Sequence, residues 1–249
     1  MIGAGRIDES MIDVVTEPYL AKRSITAPSC AAWPRISHSR TECSTFTLSK
    51  QPAGPFIWRD SMHEPRQSHI AETCRVLLVP GIGNSGPTHW QSHWESEHAS
   101  YARVHQEDWD HPVCADWVAA LECAAQRAAP NPLLVAHSLG CLAVAHWLAQ
   151  TSISVAGALL VAIPDPDRAS FPAQAKGFAP IPGNQLPCPS IVVASADDPY
   201  SYIAFAQQCA KAWKSRLINI GRAGHINAAS GLGRWEQGHR MLRSLLAGS

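Results

Sequence analysis

Short apolar runs alternate with longer helical patterns along the chain from Cys74 to its carboxyl end. Continuous apolar runs of this length are typical of buried strands. They predict strands at residues 75–79, 132–136, 155–162 and 190–195. Residues 102–106 predict a weaker strand, and residues 216–220 predict the last one. Between them, apolar residues recur at helical spacing. This second pattern predicts helices at residues 116–128, 140–150, 202–213 and 234–246.

Strands separated by helices predict an α/β fold, with a doubly wound, mostly parallel sheet of about six strands and helices on both faces. Ligands of such sheets bind beyond the carboxyl ends of the strands. The residues that follow each strand are therefore the first candidates for chemistry. The proline-rich residues 164–189 follow one strand and fit either a pocket wall or a surface loop, so we expect a small lid or none.

Residues 1–72 show no sustained period, and serine, threonine and proline are frequent between residues 24 and 55. Such a segment buries too little apolar surface to offset its ordering entropy. We therefore expect a loosely ordered extension before a domain at residues 73–249. Met62 lies shortly before the organised region and is a candidate start of translation. A regulatory or docking tail is the alternative.

The composition narrows the range of partners. Apolar residues make up 46% of the chain and charged residues 16%, which suits a sheet covered on both faces. The formal net charge is zero and no basic stripe is visible. Because binding to phosphates requires such a stripe, we expect no nucleic-acid partner.

The eight cysteines lack the paired spacing of a zinc site, and several have apolar neighbours. We therefore expect reduced thiols and no metal.

No apolar run reaches the roughly 18 to 20 residues that span a bilayer. The amino terminus lacks a basic segment followed by an apolar one, which a secretory signal requires. These features predict a cytoplasmic protein without membrane contact.

One serine stands between a predicted strand and a predicted helix. The motif Ala136-His137-Ser138-Leu139-Gly140 is similar to the Gly-x-Ser-x-Gly turn, which lifts a nucleophilic hydroxyl out of a sheet. Ala136 replaces the first glycine and is still small enough for the turn. Ser138 is therefore the candidate nucleophile, and a helix-capping serine is the structural alternative.

A serine hydroxyl needs a base, because its own ionisation is negligible at neutral pH. Residues 221–225, Gly-Arg-Ala-Gly-His, follow the last predicted strand and place His225 on a glycine-rich loop. This position distinguishes His225 among twelve histidines. His137 is expected to pack in the turn, and His146 lies on the next helix.

The acid that orients the base should follow the preceding strand, at Ala196-Asp197-Asp198-Pro199. A buried carboxylate there would hold the tautomer of the imidazole and stabilise its charged form. We favour Asp198 over Asp197, because Pro199 rigidifies the turn after it. Asp165 is a weaker candidate, and a pair of solvated turn aspartates is the alternative without function.

Negative charge developing on a substrate oxygen requires fixed donors. The backbone N–H of Leu139, directly after the candidate nucleophile, is one. The second should come from the loop at residues 80–86, where we assign it to Ile82, with Gly83 as the alternative.

The same loop also fits a different hypothesis. Residues 81–86 match the dinucleotide fingerprint Gly-x-Gly-x-x-Gly after a strand, and Asp108 follows about 20 residues later. Alone, this pattern would predict a nicotinamide-dependent oxidoreductase. It leaves Ser138, Asp198 and His225 without a role, so it ranks as the weaker alternative.

From about residue 75 to residue 246, the chain resembles the retinoblastoma-binding protein 9 / YdeN-type serine hydrolases. The resemblance rests on Val79-Pro80-Gly81-Ile82-Gly83-Asn84-Ser85, His89-Trp90, Trp94-Glu95, Ala136-His137-Ser138-Leu139-Gly140, Asp197-Asp198-Pro199-Tyr200 and Gly224-His225. It implies a compact α/β-hydrolase fold with a triad that maps onto Ser138, Asp198 and His225. Residues 1–72 match nothing in the family.

These observations predict a carboxylesterase-like serine hydrolase that cleaves a small ester, thioester or amide through an acyl-enzyme, with no cofactor. Gly83 and Trp90, near the oxyanion loop, are the candidates for substrate binding. Tryptophans at such positions, including Trp94, Trp109 and Trp117, more often belong to the core. The alternative of another class is a protein-binding module on a hydrolase fold. A small acyl substrate is the expected partner, and the pattern identifies no protein partner.

Overall fold

A computed structural model of the chain describes residues 76–246. The extension predicted at residues 1–72, its boundary with the domain and the candidate start at Met62 lie outside the described residues. Residues 73–75 and 247–249 of the predicted domain lie outside them as well. The proposed domain division therefore stays a prediction.

The described residues form a six-stranded parallel sheet in the order β2-β1-β3-β4-β5-β6. The strands are β1 (Val76–Val79), β2 (Tyr101–Arg103), β3 (Leu133–His137), β4 (Gly157–Val161), β5 (Ser190–Ala194) and β6 (Arg216–Asn219). Every residue of β1, β3, β4 and β5 is buried. This explains why these strands are continuous apolar runs in the sequence. The predicted parallel sheet is confirmed.

Five α-helices within the described residues cover the sheet on both faces. They are α1 (Trp90–Glu97), α2 (Cys114–Arg127), α3 (Leu139–Leu148), α4 (Ile203–Trp213) and α5 (Glu236–Leu246). Successive strand residues point to opposite faces. Leu77 and Val79 of β1 therefore share a core cluster with α2, α3 and α4, whereas Val76 and Leu78 share one with α1 and α5.

Two elements differ from the sequence prediction. The pattern does not predict α1, because its eight residues are mostly polar and only Trp90, Gln91 and Trp94 are buried. The strand expected at residues 102–106 lies at Tyr101–Arg103, where it pairs with β1 alone and is only partly buried. Both elements are too short or too exposed to show a clear apolar period.

The order of the strands creates a crevice at one edge of the sheet. The chain passes from β1 to β2 on one side and then crosses to β3 on the other side of β1. Such a reversal opens a binding crevice beyond the carboxyl ends of the two central strands. The loops after β5 and β6 reach the same edge, because all strands are parallel. Residues 162–189, between β4 and β5, form no helix, so this segment places no lid helix there.

Candidate active site

Ser138 lies in the sharp turn between β3 and α3. Its backbone has φ 54° and ψ −128°, a conformation that costs strain energy for a residue with a side chain. The N–H of Ser138 donates a hydrogen bond of 2.9 Å to the carbonyl of Val161, which ties the turn to the end of β4. The turn expected from the sequence is therefore present, with the strain that is typical of a nucleophile elbow.

Two glycines are required by close approaches around this turn. A Cβ on Gly140 would overlap the carbonyl oxygen of Val79, because α3 begins directly against the end of β1. A Cβ on Gly81 would lie 2.7 Å from the Cβ of Ser138. Ala136, at the first position of the motif, is fully buried and its methyl group is accommodated. Packing against Ser138 thus explains Gly81, the first glycine of the Gly-x-Gly-x-x-Gly pattern at residues 81–86.

The imidazole of His225 lies between the Ser138 hydroxyl and the Asp198 carboxylate. Its Nε2 is 2.8 Å from Ser138 Oγ, and its Nδ1 is 2.9 Å from each carboxylate oxygen of Asp198. Since an ionised carboxylate can only accept, Nδ1 carries the proton and Nε2 accepts from the serine hydroxyl. All three side chains are buried. Such an arrangement can activate a serine hydroxyl for nucleophilic attack.

Asp197 makes a different set of contacts from its neighbour. One of its carboxylate oxygens accepts hydrogen bonds of 2.9 Å from the Gly224 N–H and from the Ser195 hydroxyl. The other oxygen lies 3.5 Å from Nε of Arg222. The hydrogen bond from the Gly224 backbone is the main reason why the pKa of Asp197 is lowered. Asp197 therefore braces the loop that carries His225 without touching its imidazole.

Asp198 is the carboxylate that contacts the imidazole. One of its oxygens also accepts a 2.9 Å hydrogen bond from the Tyr200 N–H, which holds the carboxylate in place. Asp165, the third candidate from the sequence, instead accepts a 3.0 Å hydrogen bond from the Asp167 N–H within its own turn. The structure thus brings Asp198, the residue favoured from the sequence, to His225.

Two backbone N–H groups at the site donate to no acceptor among the described residues. They belong to Leu139, the first residue of α3, and to Ile82, on the loop after β1. The alternative donor, Gly83, is engaged, because its N–H donates to the Trp109 carbonyl at 2.9 Å. The Leu139 N–H also lies at the positive end of a helix dipole. The available donors therefore match the assignment of Ile82 and Leu139.

Two further histidines pack near His225. The ring centroid of His137 lies 4.8 Å from that of His89 and 5.0 Å from that of His225. His137 donates from Nε2 to the His225 carbonyl at 2.9 Å. Burial is the main reason why the pKa of His89 falls to about 4 and that of His137 lies well below its ordinary value. Both rings are therefore neutral near pH 7, and they place no positive charge beside His225.

A cavity of about 190 Å³ opens over these groups. Its floor is formed by Ser138, His225, Ile82 and Leu139. Pro164 and Pro172 also line it, so the proline-rich segment forms a pocket wall. Among residues 76–246, no lysine, arginine, aspartate or glutamate lines this cavity. His89 lies in its wall as well, although the sequence analysis gave this residue no role.

Neither of the two residues expected to bind substrate lines this cavity, and the expectation for Trp90 is corrected. Trp90 is buried in the core, where its ring contacts Trp94 and Trp235 and its Nε1 donates to the Ile226 carbonyl at 2.8 Å. Gly83 lies in an exposed turn with a positive φ of 72°. The correction for Trp90 follows from α1, which turns this side chain against the sheet.

Comparison with known proteins relates this site to a family. The family model described as "Serine hydrolase" matches residues 76–244. The chain belongs to the serine hydrolase family. No curated protein sequence matches it. This membership supports hydrolase activity, and the nicotinamide-dependent alternative has no support from the comparison.

Solved structures resemble this serine hydrolase. A YdeN-like hydrolase from Pectobacterium atrosepticum is 34% identical, with 71% of this chain and 92% of that chain covered and a TM-score of 0.64. The ydeN gene product from B. subtilis is 21% identical, with coverage of 70% and 100% and a TM-score of 0.60. A thermophilic esterase from Thermogutta terrifontis is 17% identical, with coverage of 70% and 90% and a TM-score of 0.53. The α/β-hydrolase fold and the YdeN-type part of the resemblance are confirmed.

The described part of this serine hydrolase contains neither a membrane-spanning helix nor a metal-binding cluster. None of its helices between residues 76 and 246 is both long enough and apolar enough to cross a membrane. Over the same residues, no group of three or more His, Cys, Asp or Glu side chains is arranged to hold a metal ion. The expected absence of a cofactor stays a prediction.

Proposed function

We propose that this serine hydrolase cleaves small esters, thioesters or amides through an acyl-enzyme on Ser138. The observation that carries this proposal is the 2.8 Å contact between Ser138 Oγ and His225 Nε2, with Asp198 on the other ring nitrogen. Ser138 Oγ attacks the acyl carbon while His225 accepts its proton. The imidazolium, stabilised by Asp198, then gives that proton to the leaving group. Water, deprotonated by His225, attacks the acyl-enzyme, and the proton returns to Ser138 Oγ as the acid leaves.

The backbone N–H groups of Ile82 and Leu139 serve as the oxyanion hole in this proposal. Both are without an acceptor in the described part of the chain, and both residues line the cavity above Ser138. A donor that is fixed before the reaction costs no reorganisation when charge develops on the substrate oxygen. Each such donor stabilises the transition state by about 3 to 4 kcal/mol.

The dimensions and charge of the cavity support a small, neutral acyl substrate. Its volume of about 190 Å³ is below the roughly 300 to 1,000 Å³ of pockets that enclose drug-sized ligands. No carboxylate, ammonium or guanidinium group from the described part of the chain lines it to pair with a charged substrate. A carboxylesterase-like preference for short acyl groups follows from this proposal. The finer resemblance to retinoblastoma-binding protein 9 stays a prediction.

We also place the protein in the cytoplasm in this proposal. Among the described residues, Cys114, Cys141, Cys188 and Cys209 are free thiols. Burial raises the pKa of Cys141 and Cys209 above the ordinary value, which disfavours the reactive thiolate form. Buried reduced cysteines are typical of proteins in a reducing compartment.

Labelling with a fluorophosphonate probe tests the proposed nucleophile. The probe phosphonylates an activated serine, so mass spectrometry of the digested protein is expected to locate the adduct on Ser138. Heat-denatured protein serves as the control and should carry no adduct, because the contact with His225 is lost. An adduct on another serine would overturn the assignment. Absence of both labelling and ester hydrolysis would favour the protein-binding alternative.

The size of the acyl group is expected to limit turnover. In a series of p-nitrophenyl esters, kcat/KM should fall at least about tenfold from butyrate to octanoate, since the cavity cannot enclose the longer chain. Pro172→Ala removes a ring from the cavity wall and should narrow this difference. Pro166→Ala, outside the cavity lining, is the matched control and should leave it unchanged. An octanoate ester hydrolysed as well as butyrate would contradict the size limit.

A further inference from the structure

Arg103, at the end of β2, holds the loop after β1 by its side chain. Its Nη1 donates to the Asn84 side-chain oxygen at 2.6 Å and to the Ser85 carbonyl at 2.7 Å. Its Nη2 donates to Ser92 Oγ at 2.8 Å, and its Nε donates to Glu95 at 2.9 Å, both on α1. The guanidinium group therefore fastens the loop at residues 81–86 to helix α1.

The environment of Arg103 makes these contacts strong. Its side chain is only 7% exposed, whereas that of its ion-pair partner Glu95 is 35% exposed. Hydrogen bonds from a charged donor are shorter and stronger than neutral ones. Burial of the guanidinium group also limits the competition from water, although the acceptor Asn84 is itself exposed. The N–H donors of the guanidinium group lie in one plane at fixed angles, so they orient the loop as well as attract it.

The loop residue Asn84 combines a left-handed backbone conformation with hydrogen bonds to its side chain. Asn84 has a φ of 64°, in the left-handed region that is unfavourable for most residues with a side chain. Its side-chain oxygen accepts from the Ser85 N–H at 2.7 Å as well as from Arg103. Asn84 also lines the cavity, and it lies two residues after Ile82. The turn that presents the Ile82 N–H is thus fixed by the hydrogen bonds of the Asn84 side chain.

Gln91 connects the same loop to the sheet. Its side chain is fully buried, and its Oε1 accepts from Ser85 Oγ at 2.7 Å. Its Nε2 donates to the carbonyl of Val135 at 3.0 Å and lies 3.4 Å from that of Val79. These two carbonyls belong to β3 and β1, the strands that border the crevice. Loop, helix α1 and strand ends therefore form one hydrogen-bonded unit.

We propose that Arg103 is a positioning residue for catalysis, which holds the loop at residues 81–86 so that the Ile82 N–H stays aimed at the substrate oxygen. This inference rests on the proposed hydrolase function. An oxyanion donor accelerates a reaction only if it is fixed at the place where charge develops. A small displacement caused by a change outside the reacting groups can cost about a hundredfold in rate.

Glu95 provides a matched control. It pairs with Arg103 at 2.7 Å but lies on α1, and no contact joins it to the loop. In Glu95→Gln the side-chain oxygen remains an acceptor, and the Arg103 bonds to Asn84 and Ser85 are retained. A role of Arg103 in ion pairing alone would make the two positions equivalent. A role in loop positioning makes only the Arg103 variants defective.

Steady-state kinetics with p-nitrophenyl acetate test the inference. For Arg103→Gln, kcat should fall about 10- to 100-fold while KM changes less than about threefold. The reason is that the transition state loses more stabilisation by the Ile82 N–H than the bound substrate does. Arg103→Lys, which retains the charge without the fork, should be intermediate, and Glu95→Gln should stay within about threefold of wild type. Thermal unfolding of each variant, followed by circular dichroism, shows which ones are folded.

Asn84→Gly keeps the inference testable if the Arg103 variants do not fold. Glycine accepts the positive φ of this position, so only the side-chain oxygen is lost. Its kcat should fall at least about threefold with little change in KM. Folded Arg103 or Asn84 variants with unchanged kcat would overturn the inference, as would a defect in KM alone. A wild-type protein that hydrolyses no ester and gives no Ser138 adduct would overturn the proposed function, and this inference with it.

Discussion

Replacement of Ser138 by alanine is expected to lower kcat for p-nitrophenyl acetate by a factor on the order of 10⁴ to 10⁶. The variant retains the His225–Asp198 pair and the free N–H groups of Ile82 and Leu139, but no atom remains to form the acyl-enzyme. The residual rate would come from binding and from the oxyanion donors. Initial rates at saturating substrate, with the rate in buffer subtracted, measure this effect.

The control for this experiment is Ser170→Ala. Ser170 is exposed, and its hydroxyl donates a hydrogen bond to the Pro199 carbonyl at 3.0 Å. It does not belong to the turn between β3 and α3. Its loss should change kcat by less than about threefold. A Ser138→Ala protein that is folded and keeps more than about one hundredth of the wild-type rate would exclude Ser138 as the nucleophile.

The Asp198→Asn variant should lose turnover on the order of 10⁴-fold. Asp198 accepts a hydrogen bond from the Nδ1–H of His225 at 2.9 Å, so the proton stays on Nδ1 and Nε2 can accept from Ser138. An amide that turns its NH₂ toward Nδ1 favours the opposite tautomer, in which Nε2 carries the proton and cannot act as base. The amide also removes the charge that stabilises the imidazolium.

Asp197→Asn is the matched variant one residue away. Its side-chain oxygen can still accept from the Gly224 N–H and from Ser195, so kcat should fall less than about tenfold. The ratio of the two kcat values therefore measures the role of the carboxylate on the imidazole. Equal losses in both variants would contradict the assignment of Asp198, and a larger loss in Asp197→Asn would reverse it.

The sheet was predictable because its central strands carry their own signal. β1, β3, β4 and β5 are buried on both faces, so each must be an apolar run whatever its neighbours are. The edge strand β2 has one neighbour and partial burial, which relaxes this requirement. Helix α1 buries three side chains of eight, too few to distinguish it from a loop.

The candidate catalytic residues could also be predicted, from the order of the strands. Ser138 and His225 come directly after strands, and parallel strands bring their carboxyl ends to one edge. The candidate acid was harder to predict from the sequence. Asp197 and Asp198 are neighbours on one turn and differ only in the direction of their side chains. That direction depends on the contacts of Asp197 with Gly224 and of Asp198 with Tyr200.

The sequence by itself determined the parallel sheet, the turn at Ser138 and the chain order of the candidate serine, acid and base, since each depends on local pattern or chain order. Only the tertiary structure decided that Asp198 faces His225, that Trp90 is a core residue and that Arg103 bonds to the loop at residues 81–86. These three facts depend on partners distant in the chain or on the rotation of a short polar helix. Apolar periodicity records which residues are buried, but it does not record which residues they meet.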